Sequence, residues 1–427
     1  MAVIGFAGTI AVVTGLIHLY LWKRLVRDTT RRGRWRRIGT VAALALAVLV
    51  PLTLVTSRSG VTWLVWPGYL WLAVMFYLLV VMLVLEIPML VARLALRRRA
   101  AAAPTGPVPT DPATESLIAE PALVGGGAPT EPPAPAAPPV PTPAEAGHDP
   151  GRRLLLARGA AIFAGLTATG LTGYGVSTAL GPPRIDRVRI PLARLPRAMD
   201  GLRIATVSDI HLGPLLGRAH AQRIVDLING LDADLVAVVG DLVDGPVAEL
   251  GPAAAPLADL RSRHGSFFVT GNHEYYAGVQ EWVAEVDRLG LRVLENERQE
   301  IVTPRGVLDL AGVNDPAGEG TGATGGPDFE KALGGRDPQR PVVLLAHQPV
   351  MAQEAARYGV DLQLSGHTHG GQIVPFNLLV GLEQPVVSGR GNVDGTEVYV
   401  TNGAGFWGPP VRVGAPPQIS LVELRSP

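Results

Sequence analysis

Cysteine is absent from the chain. That removes disulfides, thiol nucleophiles and thiolate metal sites, and it leaves the redox compartment open. Any metal must be held by oxygen and imidazole. Net charge is missing too: 37 basic and 37 acidic residues cancel, so no global field recruits nucleic acid or repels an acidic substrate. Lysine is nearly missing, with Lys23 and Lys331 the only two. The placement of the arginines therefore says more than their number. At 427 residues the chain has room for two or three domains.

Charge is also absent from four long stretches. Ala2 to Trp22, Ile38 to Thr56 and Val61 to Leu85 are uncharged, each near the ~20 residues needed to cross a hydrocarbon core. None shows the polar face at helical period that a soluble bundle requires. Trp63, Trp66, Tyr69 and Trp71 crowd the start of the third run, as an interfacial aromatic belt would. No charged relay lies at the centre of these runs, which argues against a transporter. Lys23, Arg24, Arg27, Arg31, Arg32, Arg34, Arg36 and Arg37 lie between the first and second runs, only Arg58 between the second and third, and Arg93, Arg97, Arg98 and Arg99 after the third. The basic segments are expected on the cytoplasmic side.

Residues 100–153 hold 14 of the 38 prolines and no Lys or Arg before Arg152. Such a segment cannot bury enough apolar surface to offset its ordering entropy, and reads as a disordered or polyproline-II linker. The fourth run, Gly159 to Leu180, includes Gly165, Gly170, Gly173 and Gly175, and Arg152, Arg153 and Arg158 flank its N-terminal side. It reads either as a fourth span or as a glycine-rich surface segment, and its start weakly resembles a twin-arginine export signal. The expected division is a membrane domain of three transmembrane helices over residues 1–99, a linker over 100–153, a fourth transmembrane helix or signal-like segment over 154–181, and a catalytic domain over 197–427. If the fourth run spans, that last domain lies outside the cytoplasm.

From Leu202 onward the texture becomes α/β. Short apolar runs, suited to strands buried on both faces, each end in polar residues. Ile204 to Ser208 leads into Asp209-Ile-His211, and Leu235 to Val239 into Gly240-Asp241-Leu-Val-Asp244-Gly245. Ser266 to Thr270 leads into Gly271-Asn272-His273-Glu274, Val342 to Ala346 into His347, and Leu362 to Leu364 into Ser365-Gly366-His367-Thr-His369. Loops at the carboxyl ends of strands form the ligand crevice of α/β sheets. Five of the nine histidines fall in these loops. A lone Asp-x-His or buried His is weak; five such fragments in this order are not. His18, His148, His220 and His264 have bland readings in a span, the linker, and helix or loop contexts.

The series Asp-x-His, Gly-Asp-x-x-Asp, Gly-Asn-His-Glu, His and Gly-His-x-His resembles the calcineurin-like metallophosphoesterase superfamily over about 230 residues. Gly366-His-Thr-His-Gly-Gly-Gln372 is similar to its membrane-associated YkuE/YaeI-like branch. The resemblance implies an αββα sandwich of two mixed sheets flanked by helices. It further implies one metal on Asp209, His211, Asp241 and His369, and a second on Asp241, Asn272, His347 and His367, with Asp241 bridging. Mixed nitrogen and oxygen donors suit Mn, Fe or Zn better than Ca. In such centres two metal ions about 3.5–4 Å apart polarise phosphate, and a bridging hydroxide attacks phosphorus. His273 takes the family's position for the general acid, and Asp244 is placed to orient it; the plainer reading of Asp244 is a turn residue before Gly245. Gly245 stands where the phosphoprotein phosphatases of the superfamily have Arg, which argues against a phosphoprotein substrate. The loop Gly403 to Arg412 offers Trp407 and Arg412 as substrate contacts, or else as a wall residue and a surface charge.

The expectation is a membrane-anchored hydrolase of phosphoester or pyrophosphate bonds, acting on a phosphorylated small molecule or lipid and not on nucleic acid. The competing reading is a membrane sensor or scaffold whose phosphoesterase-like domain binds metal without catalysis. Retention of both Asn272 and His273 favours the enzyme.

Overall fold

The computed structural model of the chain describes residues 2–56, 63–101, 150–322 and 325–427. Most of the expected linker, residues 102–149, and residues 57–62 lie outside the described residues.

Each uncharged run is helical: α1 (Ala2–Trp22), α2 (Arg34–Thr56), α3 (Val65–Ala101) and α4 (Pro150–Leu180). The stretches Arg34–Thr56, Val65–Ala92 and Leu154–Leu180 are long and apolar enough to cross a membrane. Val12, Leu16, Val41, Val48, Ile87 and Leu166 all point outward and are more than half exposed. Polar side chains turn inward. Trp71 Nε1 donates to His18 Nε2 at 3.0 Å, His18 Nδ1 lies 2.8 Å from the Thr14 carbonyl, and the Tyr20 hydroxyl donates to Glu86 at 2.9 Å. Trp71, expected in an interfacial belt, is thus held inside the bundle by His18, while Trp63 stays exposed. Ala164 and Ala168 of α4 are fully buried in the bundle core; small residues one turn apart let neighbouring helices approach closely.

The C-terminal domain begins at β1 (Arg184–Pro191), upstream of the expected boundary at Arg197. Three arginines in this strand hide it from a hydropathy reading. Its order comes from parallel pairing with the last strand. Then follow β2 (Arg203–Val207), α5 (Arg218–Asn229), β3 (Leu235–Val239), α6 (Val247–Ala254), β4 (Ser266–Val269), α7 (Asn272–Ala277), α8 (Val279–Arg288) and β5 (Arg292–Val293). The remainder comprises β6 (Glu297–Thr303), β7 (Gly306–Gly312), α9 (Phe329–Leu333), β8 (Val342–Leu345), α10 (Ala352–Arg357), β9 (Leu362–Ser365), α11 (Asn377–Val380), β10 (Gly389–Val393), β11 (Thr396–Val400) and β12 (Gln418–Arg425).

Two six-stranded mixed sheets result, ordered β1-β12-β2-β3-β4-β5 and β10-β11-β9-β8-β7-β6. The period-2 alternation of strand side chains accounts for the layering. Leu235, Ala237 and Val239 of β3 meet Leu310, Val343, Leu345 and Leu364 of the opposite sheet in the central core. Val236 and Val238 point the other way, against Ile224 of α5 and Trp282 of α8. Val342 and Leu344 likewise pack under Phe329 of α9 and Ala355 of α10. Strands buried on both faces must be apolar throughout, and these are. The layers are helix, sheet, sheet, helix.

Candidate metal centre

Polar residues begin where these strands end. Parallel pairing of β2, β3 and β4, and of β7, β8, β9 and β11, puts their carboxyl ends on one edge of the sandwich. Asp209 and His211 follow β2, Asp241 and Asp244 follow β3, Asn272 and His273 open α7 after β4, His347 follows β8, and His367 and His369 follow β9. All nine residues singled out in the sequence converge there.

The backbone turns sharply at these positions. Asp209, His211, Asp241, His367 and His369 have φ between 49° and 69°, a left-handed conformation that non-glycine residues seldom adopt and that concentrates at functional sites. The preceding glycines are needed for space. A Cβ on Gly240 (φ 77°) would lie 2.6 Å from His347 Nδ1, and one on Gly271 would strike the Asp241 carboxylate.

Three residues make a first cluster. His211 Nε2 and His369 Nε2 are 3.0 Å apart, and His369 Nε2 lies 3.3 Å from Asp209 Oδ1. A second cluster holds Asp241, His347 and His367. In it His347 Nε2 stands 3.1 Å from Asp241 Oδ2, and His367 Nδ1 stands 3.0 Å from Asn272 Oδ1. Asp241 reaches toward both clusters, its Oδ2 lying 3.9 Å from His211 Nε2.

The donor set suits cations. His211 Nδ1 donates to Asp244 Oδ1 at 2.8 Å, and His347 Nδ1 donates to the Val239 carbonyl at 2.8 Å. Each bond turns Nε2 toward the cluster. Burial opposes charge on both rings, yet Asp244, Asp241 and Asp209 push His211 up to about 9, and Asp241, Asp209 and Asp315 raise His347 well above its usual value, so each carries an Nε2 proton that a bound cation would displace. His347 Nε2 is buried and makes no hydrogen bond. Burial pulls His367 down to about 3, helped by His347; burial and the Arg412 charge hold His369 well below its usual value. Both rings are therefore neutral. Burial, and more weakly Asp241, pushes Asp209 up. Burial also opposes charge on Asp241, yet His347, His273 and His211 hold it well below the carboxylate range. The carboxylates and the protons on His211 and His347 offset one another, and bound cations would take the place of those protons.

Asp244 serves two rings, its Oδ1 accepting from His273 Nδ1 at 2.7 Å as well as from His211. The sequence reading paired it with His273 alone. The two rings sit edge to face at 4.7 Å, which brings them to one carboxylate.

The structure gives Glu274 a role that its sequence position alone did not show, and it gives Arg412 a role other than the two expected of it. Glu274 is fully buried and accepts from the backbone N–H groups of Gly271 (2.6 Å), Asp241 (3.0 Å) and Leu242 (2.7 Å), pinning the Asp241 loop. Its signal was available, since Glu at the third position of a helix after Gly271 is half of a capping box. Burial, then Asp241, pushes Glu274 up to about 7. Arg412 is neither a surface charge nor a substrate contact. Its guanidinium is fully buried and donates to the carbonyls of His369 (2.8 Å), Asn402 (2.9 Å) and Gly405, with Nη2 3.0 Å from His369 Nδ1. Burial lowers it to about 10, so it keeps its charge. Trp407 stays 56% exposed with its ring 6.2 Å from that of His273, at the rim.

The calcineurin-like phosphoesterase family profile matches residues 202–371. The transmembrane protein with metallophosphoesterase domain of Danio rerio is 41% identical over 263 residues, 60% of either chain. An uncharacterized metallophosphoesterase of Helicobacter pylori is 39% identical over 60% of this chain and 68% of its own. The uncharacterized metallophosphoesterase YkuE of Bacillus subtilis is 30% identical over 62% of this chain and 95% of its own. The match thus spans about three-fifths of the length of the Danio rerio relative.

Proposed function

We propose, for a chain that belongs to the calcineurin-like metallophosphoesterase family, that this centre is a two-metal phosphohydrolase site anchored to a membrane. The observation that carries the reading is the arrangement of the ligand atoms: those of Asp209, His211 and His369, and those of Asp241, His347 and His367, each lie within 4.8 Å of one another, and Asp244 and the Val239 carbonyl hold Nδ1 of His211 and His347 so that Nε2 faces the cluster. Asp209, His211, Asp241 and His369 would hold one ion, and Asp241, Asn272, His347 and His367 the other, with Asp241 shared. When bound, Mn, Fe or Zn supplies Lewis-acid polarisation of the phosphoryl oxygens and acidifies water at neutral pH.

The chain's own residues do the remainder. Asp244 orients His273 through Nδ1, so that Nε2, 4.0 Å from Asp241 Oδ2, delivers a proton to the leaving oxygen. Glu274 fixes the Asp241 loop, and Arg412 keeps His369 neutral and in place. Gly245 offers no cation to a phosphoprotein. The substrate class this supports is a phosphoester or pyrophosphate of a small molecule or lipid, and the membrane helices favour a lipid-linked one.

The catalytic domain belongs on the side opposite the basic loops. Arg158 Nε donates to the Thr29 carbonyl at 3.1 Å, which puts the start of α4 beside the arginine-rich turn after α1. At the other end of α4, the Gly175 carbonyl accepts from the Arg412 backbone N–H at 2.9 Å. At about 1.5 Å rise per residue the two contacts are roughly 26 Å apart, close to the thickness of a hydrocarbon core. With arginines kept cytoplasmic, the domain faces the exterior.

Metal analysis of the purified protein, with phosphomonoester, phosphodiester and phospholipid substrates, tests the reading. The expected outcome is about two ions per chain and hydrolysis that a chelator abolishes and Mn, Fe or Zn restores. Metal without turnover on any substrate supports the sensor or scaffold instead.

A further inference from the structure

The loop that follows the last predicted metal ligand carries apolar side chains that the fold leaves uncovered. Val374, Phe376, Leu378, Leu379 and Leu382, around α11, are 44, 44, 69, 59 and 83% exposed. Nothing in the hydrolytic reading uses them. They sit at one particular place. Ile373, at the base of the loop, packs with Val411 and Val413 into the core of the helical bundle. The Val374 N–H donates to the Val413 carbonyl at 3.0 Å. Gly175 of α4 meets Val411 and Val413 so closely that a Cβ there would clash with both side chains.

We propose that residues 374–382 form a lip seated in the interfacial layer of the bilayer beside α4, which brings the mouth of the metal centre onto the lipid surface. This rests on the reading that α2–α4 span the membrane. Gly175 is five residues from the end of α4 at Leu180, or roughly 7.5 Å along the axis. Headgroup layers are about 5–7 Å thick on each side of the hydrocarbon. The Val411–Val413 contact therefore lies at the boundary of the hydrocarbon, and the lip extends from it at that depth. An exposed apolar segment continuous with the outward faces of spanning helices is covered by lipid at no further cost. Interfacial elements bury their apolar faces about 5–10 Å deep.

The lip is also tied to the site. Gln372, one residue before Ile373, donates to the Trp407 carbonyl at 2.9 Å and accepts from the Trp407 N–H at 3.1 Å. Trp407 stands beside His273. A substrate phosphate held at the headgroup level reaches the centre past Trp407 without leaving the membrane surface.

The absence of cysteine makes the test direct. Single variants Leu379→Cys and Leu382→Cys, with Val302→Cys as a control 66% exposed on β6, are spin-labelled in the full chain in phosphatidylcholine–phosphatidylglycerol vesicles. The expected result is greater relaxation by oxygen than by a water-soluble nickel chelate at 379 and 382, and the reverse at 302. Labels at 379 and 382 that behave like the one at 302 overturn the proposal. So do labels shielded from both reagents, which would mean that a protein surface covers the lip. Neither metal nor substrate is needed, so failure of the hydrolytic reading leaves this measurement intact. A water-exposed lip on an active enzyme would sink the inference alone.

Discussion

Val48, Ile87 and Leu166 of the helical bundle face outward, while inside it Trp71 bonds to His18 and Tyr20 to Glu86. In the C-terminal domain Val207, Val238 and Leu345 are fully buried. The polar groups of its interior, Asp209, Asp241, His347 and His369, gather at one edge where the strands stop. One half of the molecule is apolar outside as well as in its core, with a few polar pairs inside; the other is apolar within and gathers its buried carboxylates and imidazoles mainly at one site. The same residue types are placed by different surroundings. Apolar surface on helices long and apolar enough to cross a membrane is suited to lipid in the first case, and it packs against the opposite sheet in the second; buried polar groups are tolerated chiefly where partners exist.

The comparison breaks first, if it breaks, at the domain's polar edge. Asp241→Asn removes the carboxylate shared by both clusters, and hydrolysis should fall to background with loss of bound metal. Wild-type activity in a metal-depleted variant would end the two-metal reading. His273→Ala should leave metal content unchanged and slow turnover by roughly 10²–10⁴-fold, the range for a lost general acid. Substrates with good leaving groups should be affected far less. Equal loss on both classes, or loss of metal, would remove His273 from that role.

The bundle offers the converse test. In water, replacing an exposed valine by arginine shifts stability by no more than about 0.5 kcal/mol. Val48 is 62% exposed near the middle of α2, and at a bilayer centre Val48→Arg should cost about 3 kcal/mol of insertion. Unchanged membrane yield and thermal stability would mean that this face meets water.

The smallest effect concerns an interior polar group that lacks a partner. His220 of α5 is buried with Nε2 unbonded, and burial, then Arg223, lowers it to about 4. A folded value below the unfolded one near 6.5 means that the unfolded chain binds the proton first. Stability is then complete above about pH 6.5 and falls as pH drops toward 4. Between pH 7.5 and 5.5 the loss should be about 1 kcal/mol, measurable by denaturant unfolding, and His220→Leu should abolish that slope. An unaltered slope would assign the acid sensitivity elsewhere.

Much of this was legible in the chain. Runs free of charge announced the helices, because about twenty consecutive apolar residues have no stable place in a small soluble domain. Strand-length apolar runs ending in Asp, Asn and His announced the sheets and their site edge, because strands buried on both faces must be apolar and chemistry is confined to their ends. Even Glu274 stood in a readable capping position. What local pattern could not supply is distance across the fold. Arg412 lies 43 residues from His369, and its burial against that ring depends on how the loop after β11 crosses the loop after β9. Asp244 serves both His211 and His273 only because the ends of β2, β3 and β4 lie side by side. The arginine-rich β1 is a strand only because β12, more than 200 residues on, offers it an edge. Hydrophobic period is written residue by residue along a sequence, whereas the partner of a buried charge is chosen by packing, and that choice belongs to the tertiary structure alone.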